Sequence, residues 1–298
     1  MTRRAPEAAA TPASAEEPVR CRFPLGYYYS PLPDNRELAT EPRHSQVWPS
    51  TARPTPGIDW NDEAQRHLAE HVFATQTRLD FVDEETDDPT VYWSANDQYP
   101  ALDAWILEGM LRHLRPKSMI EIGSGFSSLI TARVNREHFG GALDFTCIEP
   151  YPRDFLSAGV PGISALRVEQ IQDTPLEVFD VLTAGDVLFV DTAHTVKTGG
   201  DVAWIYGEII PRLRPGVAVH IHDAFVPGEY PEQWVMEGWG WNEIYLIKAF
   251  LAFNDSFEVL FGAQWMLQNE GAAIDRAFPD FAAHRERQGA ALWIRRTR

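Results

Sequence analysis

Seven short apolar runs predict β-strands, and the first five alternate with segments of helical spacing. Strands that alternate with helices predict right-handed βαβ units and a mostly parallel sheet covered on both faces. The fold class is therefore α/β, with ligand chemistry at the carboxyl ends of the strands. The predicted strands are Met119–Ile122, Asp144–Glu149, Ser164–Val168, Asp186–Asp191, Val217–Ile221, Phe257–Phe261 and Ala291–Ile294.

Apolar residues at helical spacing predict helices between these strands and before the first one. One helix is predicted from Asp62, with Gln65 in capping-box spacing, and another over Leu102–Leu114. The latter leads into the first strand, so Asp103 is expected near the ligand edge of the sheet, although a partner of the helix dipole would look the same. Further helices are predicted from 126 to Asn135, at 174–182 with Thr174 as cap, at 202–213 and at 244–251.

Composition divides the chain into three parts. Residues 1–20 have almost nothing apolar and are typical of a disordered tail, residues 21–115 form an N-terminal lid and helical segment, and residues 116–298 form the sheet domain. Within the second part, residues 23–34 place three tyrosines between prolines, which favours an extended, semi-rigid segment. Such a segment would be either a lid over the site or an arm that covers an apolar surface.

Charge and cysteine content narrow the class of protein. The 298 residues carry a formal net charge of −17, which argues against a nucleic-acid backbone or an anionic membrane as partner. Cys21 and Cys147 lie far apart in sequence, so neither a disulfide framework nor a cysteine zinc site is indicated. No apolar run approaches the length of a bilayer span. A cytoplasmic location is expected.

A glycine-rich loop follows the first strand. Gly123 and Gly125 leave room for a ligand against backbone amides at the start of the next helix. A dinucleotide fingerprint also requires glycine at the sixth position, where this chain has Ser128. Glu121, two residues before the first glycine, is the more discriminating feature. A purely structural strand-to-helix turn is the alternative interpretation.

Polar side chains stand at three further strand ends. Glu149 ends the second strand, where a carboxylate can accept hydrogen bonds from both hydroxyls of a ribose. Asp191 ends the fourth strand, and His222 and Asp223 end the fifth. Two carboxylates and an imidazole at adjacent strand ends suit an octahedral magnesium, manganese or iron ion better than a tetrahedral zinc site. Each of these residues alone would be read as structural, and His220, which alternates with His222, is expected to be structural.

The segment Glu121-x-Gly123-x-Gly125-x-Ser127 resembles motif I of class I S-adenosylmethionine (SAM)-dependent methyltransferases. From about residue 23 onward the chain is similar to the bacterial family called methyltransferase domain 24. The polar residues after strands four and five also resemble the metal sites of catechol-type and macrolide-sugar O-methyltransferases. The resemblance implies a Rossmann-like, seven-stranded sheet whose last strand is antiparallel, and it assigns residues 116–298 to SAM binding.

The resemblance also implies roles for individual residues. Asp191, His222 and Asp223 match the metal ligands, with magnesium, manganese or iron as the ion. His194 stands in the place of a catalytic lysine and is predicted as the base, with Lys197 as the alternative. The predicted cofactor-binding residues are Glu121, Gly123, Ser124, Gly125, Ser127, Glu149, Tyr151, Gln172 and Asp191.

The predicted function is metal-dependent O-methylation of a hydroxyl on a small molecule, a sugar or an aromatic compound. The alternatives are a metal-independent O- or N-methyltransferase with His194 as base, a nicotinamide-dependent oxidoreductase, and a scaffold that binds SAM without turnover. Ser128 weighs against the oxidoreductase. The expected partner is the small-molecule substrate alone. The oligomeric state stays open, and a homo-oligomer is possible by analogy because many relatives form dimers.

Overall fold

The computed structural model describes residues 22–51, 53–284 and 289–298. The predicted disordered tail and Cys21 lie outside the described residues. The strands are β1 Ser118–Ile122, β2 Asp144–Ile148, β3 Ala165–Arg167, β4 Val187–Val190, β5 Ala218–Ile221, β6 Phe257–Gly262 and β7 Leu292–Arg296. The seven predicted strands are thus confirmed, with ends shifted by one or two residues.

These strands form one sheet in the order β3-β2-β1-β4-β5-β7-β6. All neighbours pair in parallel except β7, which runs antiparallel to both β5 and β6. The expected Rossmann-like sheet with an antiparallel last strand is confirmed. The strand order reverses between β1 and β4, and a crevice opens at such a switch point beyond the carboxyl ends of the strands.

Helices cover both faces of the sheet. The α-helices are Asn35–Leu38, Arg43–Val47, Asp62–His67, Ala101–Leu114, Phe126–His138, Asp154–Ala158, Asp201–Trp204, Glu232–Met236, Glu243–Leu251, Ala263–Asn269 and Gly271–Ala277. Short segments of π- or 3₁₀-helix occur at Leu68–Val72, Phe73–Thr75, Ile171–Asp173, Leu176–Val181, Ile205–Ile209, Ile210–Arg212 and Pro279–His284.

Two hydrophobic cores lie on opposite faces of the sheet. One core joins the buried helix Ala101–Leu114 to Phe145 and Phe189 of the strands. The other core packs Ile205 and Ile244 against the second face. Leu68, Phe73 and Leu79 belong to the first core, so the N-terminal segment packs against the sheet domain. The domain boundary at 115–116 stays a prediction.

Two predicted helix caps were wrong. Gln65 does not form a capping box with Asp62, because its amide donates to the Trp60 carbonyl and its carbonyl accepts from the backbone of Gly262. Thr174 donates to the Glu169 carboxylate at 3.0 Å, and the predicted helix at 174–182 is a 3₁₀-helix over Leu176–Val181. In both cases contacts outside the helix take the side chain that local spacing assigned to the cap.

Among the described residues, none of the helices has the length and apolar composition needed to cross a bilayer.

Asp186 is expected to anchor the start of β4. Its buried carboxylate accepts hydrogen bonds from the backbone amides of Lys117, Ser118 and Thr183, each within 2.9 Å. Asp186→Ala should lower the free energy of unfolding by about 2–3 kcal/mol, because three backbone donors would lose their hydrogen-bond partner. Urea denaturation measures the change. The exposed Asp180→Ala is the control and should stay within about 0.5 kcal/mol of the parent; an equal effect of both variants would contradict this account.

Candidate active site

The glycine loop closes against the end of β4. Gly123 has φ +80°, and a Cβ atom built there would lie 1.6 Å from the carbonyl oxygen of Asp191. Only glycine fits this close approach of two backbones. Gly125 differs, because a Cβ atom there would meet no atom within 4 Å. The first glycine is therefore required by the fold, and the second leaves open space at the crevice.

Glu121 holds the loop from below. Its fully buried carboxylate accepts hydrogen bonds from the hydroxyls of Ser127 at 2.6 Å and Ser128 at 2.5 Å. Burial raises the pKa of Glu121 to about 7 despite these hydrogen bonds. The side chain does not line either cavity described below, so the structure gives this predicted cofactor residue a position that supports the loop.

Glu149 lies above the loop at the end of β2. Its carboxylate accepts from the backbone amides of Ser124 at 3.1 Å and Tyr151 at 2.8 Å. Burial raises the pKa of this carboxyl. An acid fixed at the end of the second strand has the position that the ribose prediction requires.

Two cavities meet at the carboxyl edge of the sheet. One has a volume of about 350 Å³ and reaches His194, Asp223 and Trp241. The other has a volume of about 480 Å³ and reaches Gln172 and Lys197. Both are lined by Gly123, Glu149, Tyr151, Asp191 and Thr192. All the predicted cofactor residues except Glu121 line this two-part cleft.

Two aspartates and two histidines converge where the cleft ends. Nε2 of His194 lies 3.1 Å from a carboxylate oxygen of Asp191 and 3.7 Å from one of Asp223. Nδ1 of His222 lies 3.4 Å from Asp191 and 3.7 Å from Asp223. The sequence-based expectation that Asp191, His222 and Asp223 lie together agrees with these positions, and His194 joins them.

Each imidazole turns its other nitrogen to a buried carboxylate. Nδ1 of His194 lies 2.9 Å from Glu243, and Nε2 of His222 lies 3.2 Å from Asp103. Asp103 also accepts from the backbone amides of Ala290 and Ala291. Because an ionised carboxylate only accepts, the hydrogen-bond network assigns the proton to these two outer nitrogens. The inner nitrogens face Asp191 and Asp223, and they would offer lone pairs once a cation displaces their protons.

The electrostatics show that the cluster requires positive charge. Burial opposes the charged form of Asp191, but the imidazoles of His222 and His194 outweigh burial and hold its pKa well below the usual range. Burial would likewise lower the pKa of His194, yet its contacts with Asp191 and Glu243 raise that pKa to about 10. Without another cation the histidines carry the balancing protons. A divalent ion would replace those protons.

The backbone is also unusual here. His194 has φ +53° and Asp223 has φ +49°, which places two side-chain-bearing residues in the left-handed region. Such conformations cost free energy and occur preferentially at functional sites. Both residues belong to the cluster, which supports a functional reason for it.

Two other polar residues lie away from the cluster. Lys197 lines the cavity that reaches Asp191 but neither His194 nor Asp223, and its role as the alternative base stays a prediction. His220 lies between the rings of Phe189 and Trp293, with centroid distances of 4.2 and 4.8 Å. Burial holds its pKa well below the usual value, in keeping with the expected structural role.

Sequence reasoning missed two neighbours of the cluster, Glu243 and Tyr99, whereas Trp241 belongs to an aromatic loop that was expected to form a wall of the site. Glu243 gave no signal, because a glutamate in the first turn of a helix is common. Trp241 covers His194 at a ring distance of 4.3 Å, and Tyr99 covers His222 at 4.7 Å. Asp103 was expected near this edge of the sheet. Its contact of 3.2 Å with His222 argues against the alternative that it interacts only with the dipole of its helix.

Replacing each of the two loop glycines by alanine should have opposite effects, one on ligand affinity and the other on stability. Gly125→Ala should leave the free energy of unfolding nearly unchanged and weaken binding of S-adenosylhomocysteine by about 10- to 100-fold, since a methyl group enters the ligand space. Gly123→Ala should cost about 2 kcal/mol or more of stability, because it adds a clash at positive φ. Calorimetric titration and urea denaturation measure the two effects. Unchanged affinity in a folded Gly125→Ala protein would show that the ligand lies elsewhere.

Comparison with known proteins is consistent with this geometry. The model of a family described as "Methyltransferase domain" matches residues 120–224, which span β1 to the end of β5. An uncharacterised protein from Archaeoglobus fulgidus is 32% identical over 173 residues, which cover 57% of this chain and 77% of that relative. The strand order, the glycine loop and this match agree: the chain belongs to the class I SAM-dependent methyltransferases.

Proposed function

We propose that the protein transfers the methyl group of SAM to a hydroxyl oxygen of a small molecule with the help of a divalent metal ion. Asp191 carries this proposal, because it lines both parts of the cleft and also belongs to the cluster of histidines and aspartates. A sulfonium methyl group above the glycine loop would lie beside the groups that hold the acceptor. The methyl donor is already activated, so positioning supplies much of the rate.

The cofactor would extend along the two-part cleft. Glu149 is fixed by two backbone amides and has acceptor capacity left for the ribose hydroxyls. The open space at Gly125 supports the methionine end of the cofactor on that side. Ile171 and Gln172 line the opposite end, where the adenine would lie, and exposed Tyr151 stands between the two parts.

Asp191, His222 and Asp223 are the residues that would hold the ion. The donor set fits because two carboxylates face a buried imidazole nitrogen that has no hydrogen-bond partner among the described residues. When bound, the ion would supply positive charge that lowers the pKa of the acceptor hydroxyl. The protein would orient the acceptor, with Trp241 limiting access of water to the His194 side of the cluster.

An aromatic cleft beside the cluster supports a substrate with a ring or apolar face. A cavity of about 640 Å³ lies between the tyrosine-rich segment 25–35 and the segment 229–245. Trp239 and Trp241 line both this cavity and the one that reaches the cluster. The aromatic rings together with polar groups such as Asp34, Glu229 and Asn242 suit sugars and aromatic compounds with hydroxyl groups. This position favours the lid interpretation of the tyrosine-rich segment over that of a simple covering arm.

Ligand-dependent thermal unfolding tests the proposed function. At about 100 times its dissociation constant, S-adenosylhomocysteine should add roughly 2.7 kcal/mol of stability, which raises the melting temperature by a few degrees. The increase should be larger with a divalent metal than with EDTA. Adenosine without the amino-acid part serves as the control and should give a smaller shift. A protein that does not respond to S-adenosylhomocysteine under either condition would contradict the proposal.

The metal-independent methyltransferase is the second candidate. The contact between His194 and Glu243 favours it, because the carboxylate holds Nδ1 and orients the ring for proton transfer at Nε2, which the raised pKa of His194 places at alkaline pH. Methyl transfer that survives EDTA would select this version. The nicotinamide-dependent oxidoreductase loses support, since both Ser128 and the family membership weigh against it.

A further inference from the structure

Three side chains of the cluster, those of Asp191, His194 and Asp223, are close enough together to bind one ion, and His222 lies beside them. The nitrogen–oxygen distances between the two histidines and the two aspartates are 3.1, 3.4, 3.7 and 3.7 Å. Adjacent ligands of an ion with bonds of about 2.0–2.2 Å lie roughly 3.0–3.5 Å apart. One ligand atom from each of Asp191, His194 and Asp223 lies within 4.8 Å of the others, and His222 adjoins this group through its contacts of 3.4 and 3.7 Å with the two aspartates.

Both imidazoles are held ready to act as ligands. Metal-bound histidines almost always donate their other N–H to a carboxylate or carbonyl, which fixes the ring and its tautomer. Here Glu243 does this for His194, and Asp103 does it for His222. Two separate carboxylates that perform the same task on two histidines are difficult to explain by helix capping or by packing alone.

The inner nitrogen of His222 is the second and independent observation. His222 is 1% exposed, and its Nδ1 lies 3.4 Å from Asp191 and 3.7 Å from Asp223 without a well-aligned hydrogen bond to any residue that the structure describes. A buried polar nitrogen whose contacts are poorly aligned is only weakly stabilised. This nitrogen points at Asp191 and Asp223, where a metal ion would satisfy it.

We propose that Asp191, His194, His222 and Asp223 together form one metal centre that prefers iron, cobalt, nickel or zinc to magnesium, with His194 as a ligand through Nε2. Imidazole suits these transition metals, whereas magnesium prefers oxygen ligands and keeps several waters. Four protein ligands leave up to two octahedral positions for oxygens of the acceptor. The inference deepens the proposed function by assigning its metal, and it gives His194 a role other than the base predicted from sequence.

The surroundings of His194 support a ligand over a free base. Its Nδ1 is taken by Glu243, its Nε2 faces two carboxylates, and Trp241 covers the ring. The side chain is only 4% exposed.

Direct metal binding tests the inference without an activity assay. Metal-free protein is titrated with Co²⁺, followed by its visible absorption, and with Zn²⁺ and Mg²⁺ by calorimetry. One equivalent of Co²⁺ and of Zn²⁺ should bind at least about 100-fold more tightly than Mg²⁺. Equal affinity for Mg²⁺ and Co²⁺ would overturn the inference, as would the absence of any metal binding.

Variants assign the ligands. His194→Gln and His222→Gln should each weaken Co²⁺ binding by more than about 100-fold, and Asp103→Asn and Glu243→Gln by about 10- to 100-fold. Exposed His67→Gln is the matched control and should bind Co²⁺ like the parent. If folded His194→Gln keeps the parent Co²⁺ affinity and spectrum, His194 is not a ligand and the inference fails.

Binding of S-adenosylhomocysteine, measured on the same samples, separates the two proposals. The inference expects the His222→Gln protein to retain this binding, because His222 does not line the cofactor cleft. Nucleoside binding without metal binding would refute the metal centre and leave a metal-independent methyltransferase. Metal binding without nucleoside binding would support the centre and refute the proposed function.

Discussion

The close approach of the Gly123 and Asp191 backbones is the constraint on which the site depends. The Asp191 carbonyl occupies the space that a side chain at position 123 would need, and the Asp191 amide donates to Ile122 at 2.9 Å. The ends of β1 and β4 are therefore locked together at the switch point of the sheet. Because Asp191 lies in this contact, one residue joins the proposed cofactor cleft to the cluster.

Electrostatic balance is the second requirement of the site. Asp191 and Asp223 lie at the centre of the cluster, while Glu243 and Asp103 lie behind the histidines. Four acidic groups around two imidazoles favour binding of a cation, and contacts with Asp191, Glu243 and Asp223 raise the pKa of His194 to about 10 despite its burial. The left-handed backbone at His194 and Asp223 is the conformational cost of this convergence. Their neighbours in the sheet and in Glu243–Leu251 hold the arrangement in place.

The sheet could be predicted from sequence because buried parallel strands are apolar throughout and are followed by loops with recognisable glycines and acids. The same logic placed Glu149, Asp191 and His222 at one edge. The partners of the histidines could not be predicted in full, since Asp103 is 119 residues from His222 and Glu243 is 49 residues from His194. Local spacing also failed at Gln65, whose amide is used by tertiary contacts. Side-chain pairing across distant elements is decided by how helices dock, which periodicity does not encode.

The central claim is that the methyl group of SAM lies beside the cluster that contains Asp191. The most direct test is nuclear magnetic resonance of SAM carrying a ¹³C-labelled methyl group, bound to protein loaded with paramagnetic Co²⁺, with diamagnetic Zn²⁺ as the reference. The account predicts a large paramagnetic shift or broadening at the methyl carbon and a smaller effect at the adenine, which would lie near Gln172 at the other end of the cleft. A larger effect at the adenine, or an equally small effect at both positions when Co²⁺ and SAM are bound, would contradict it.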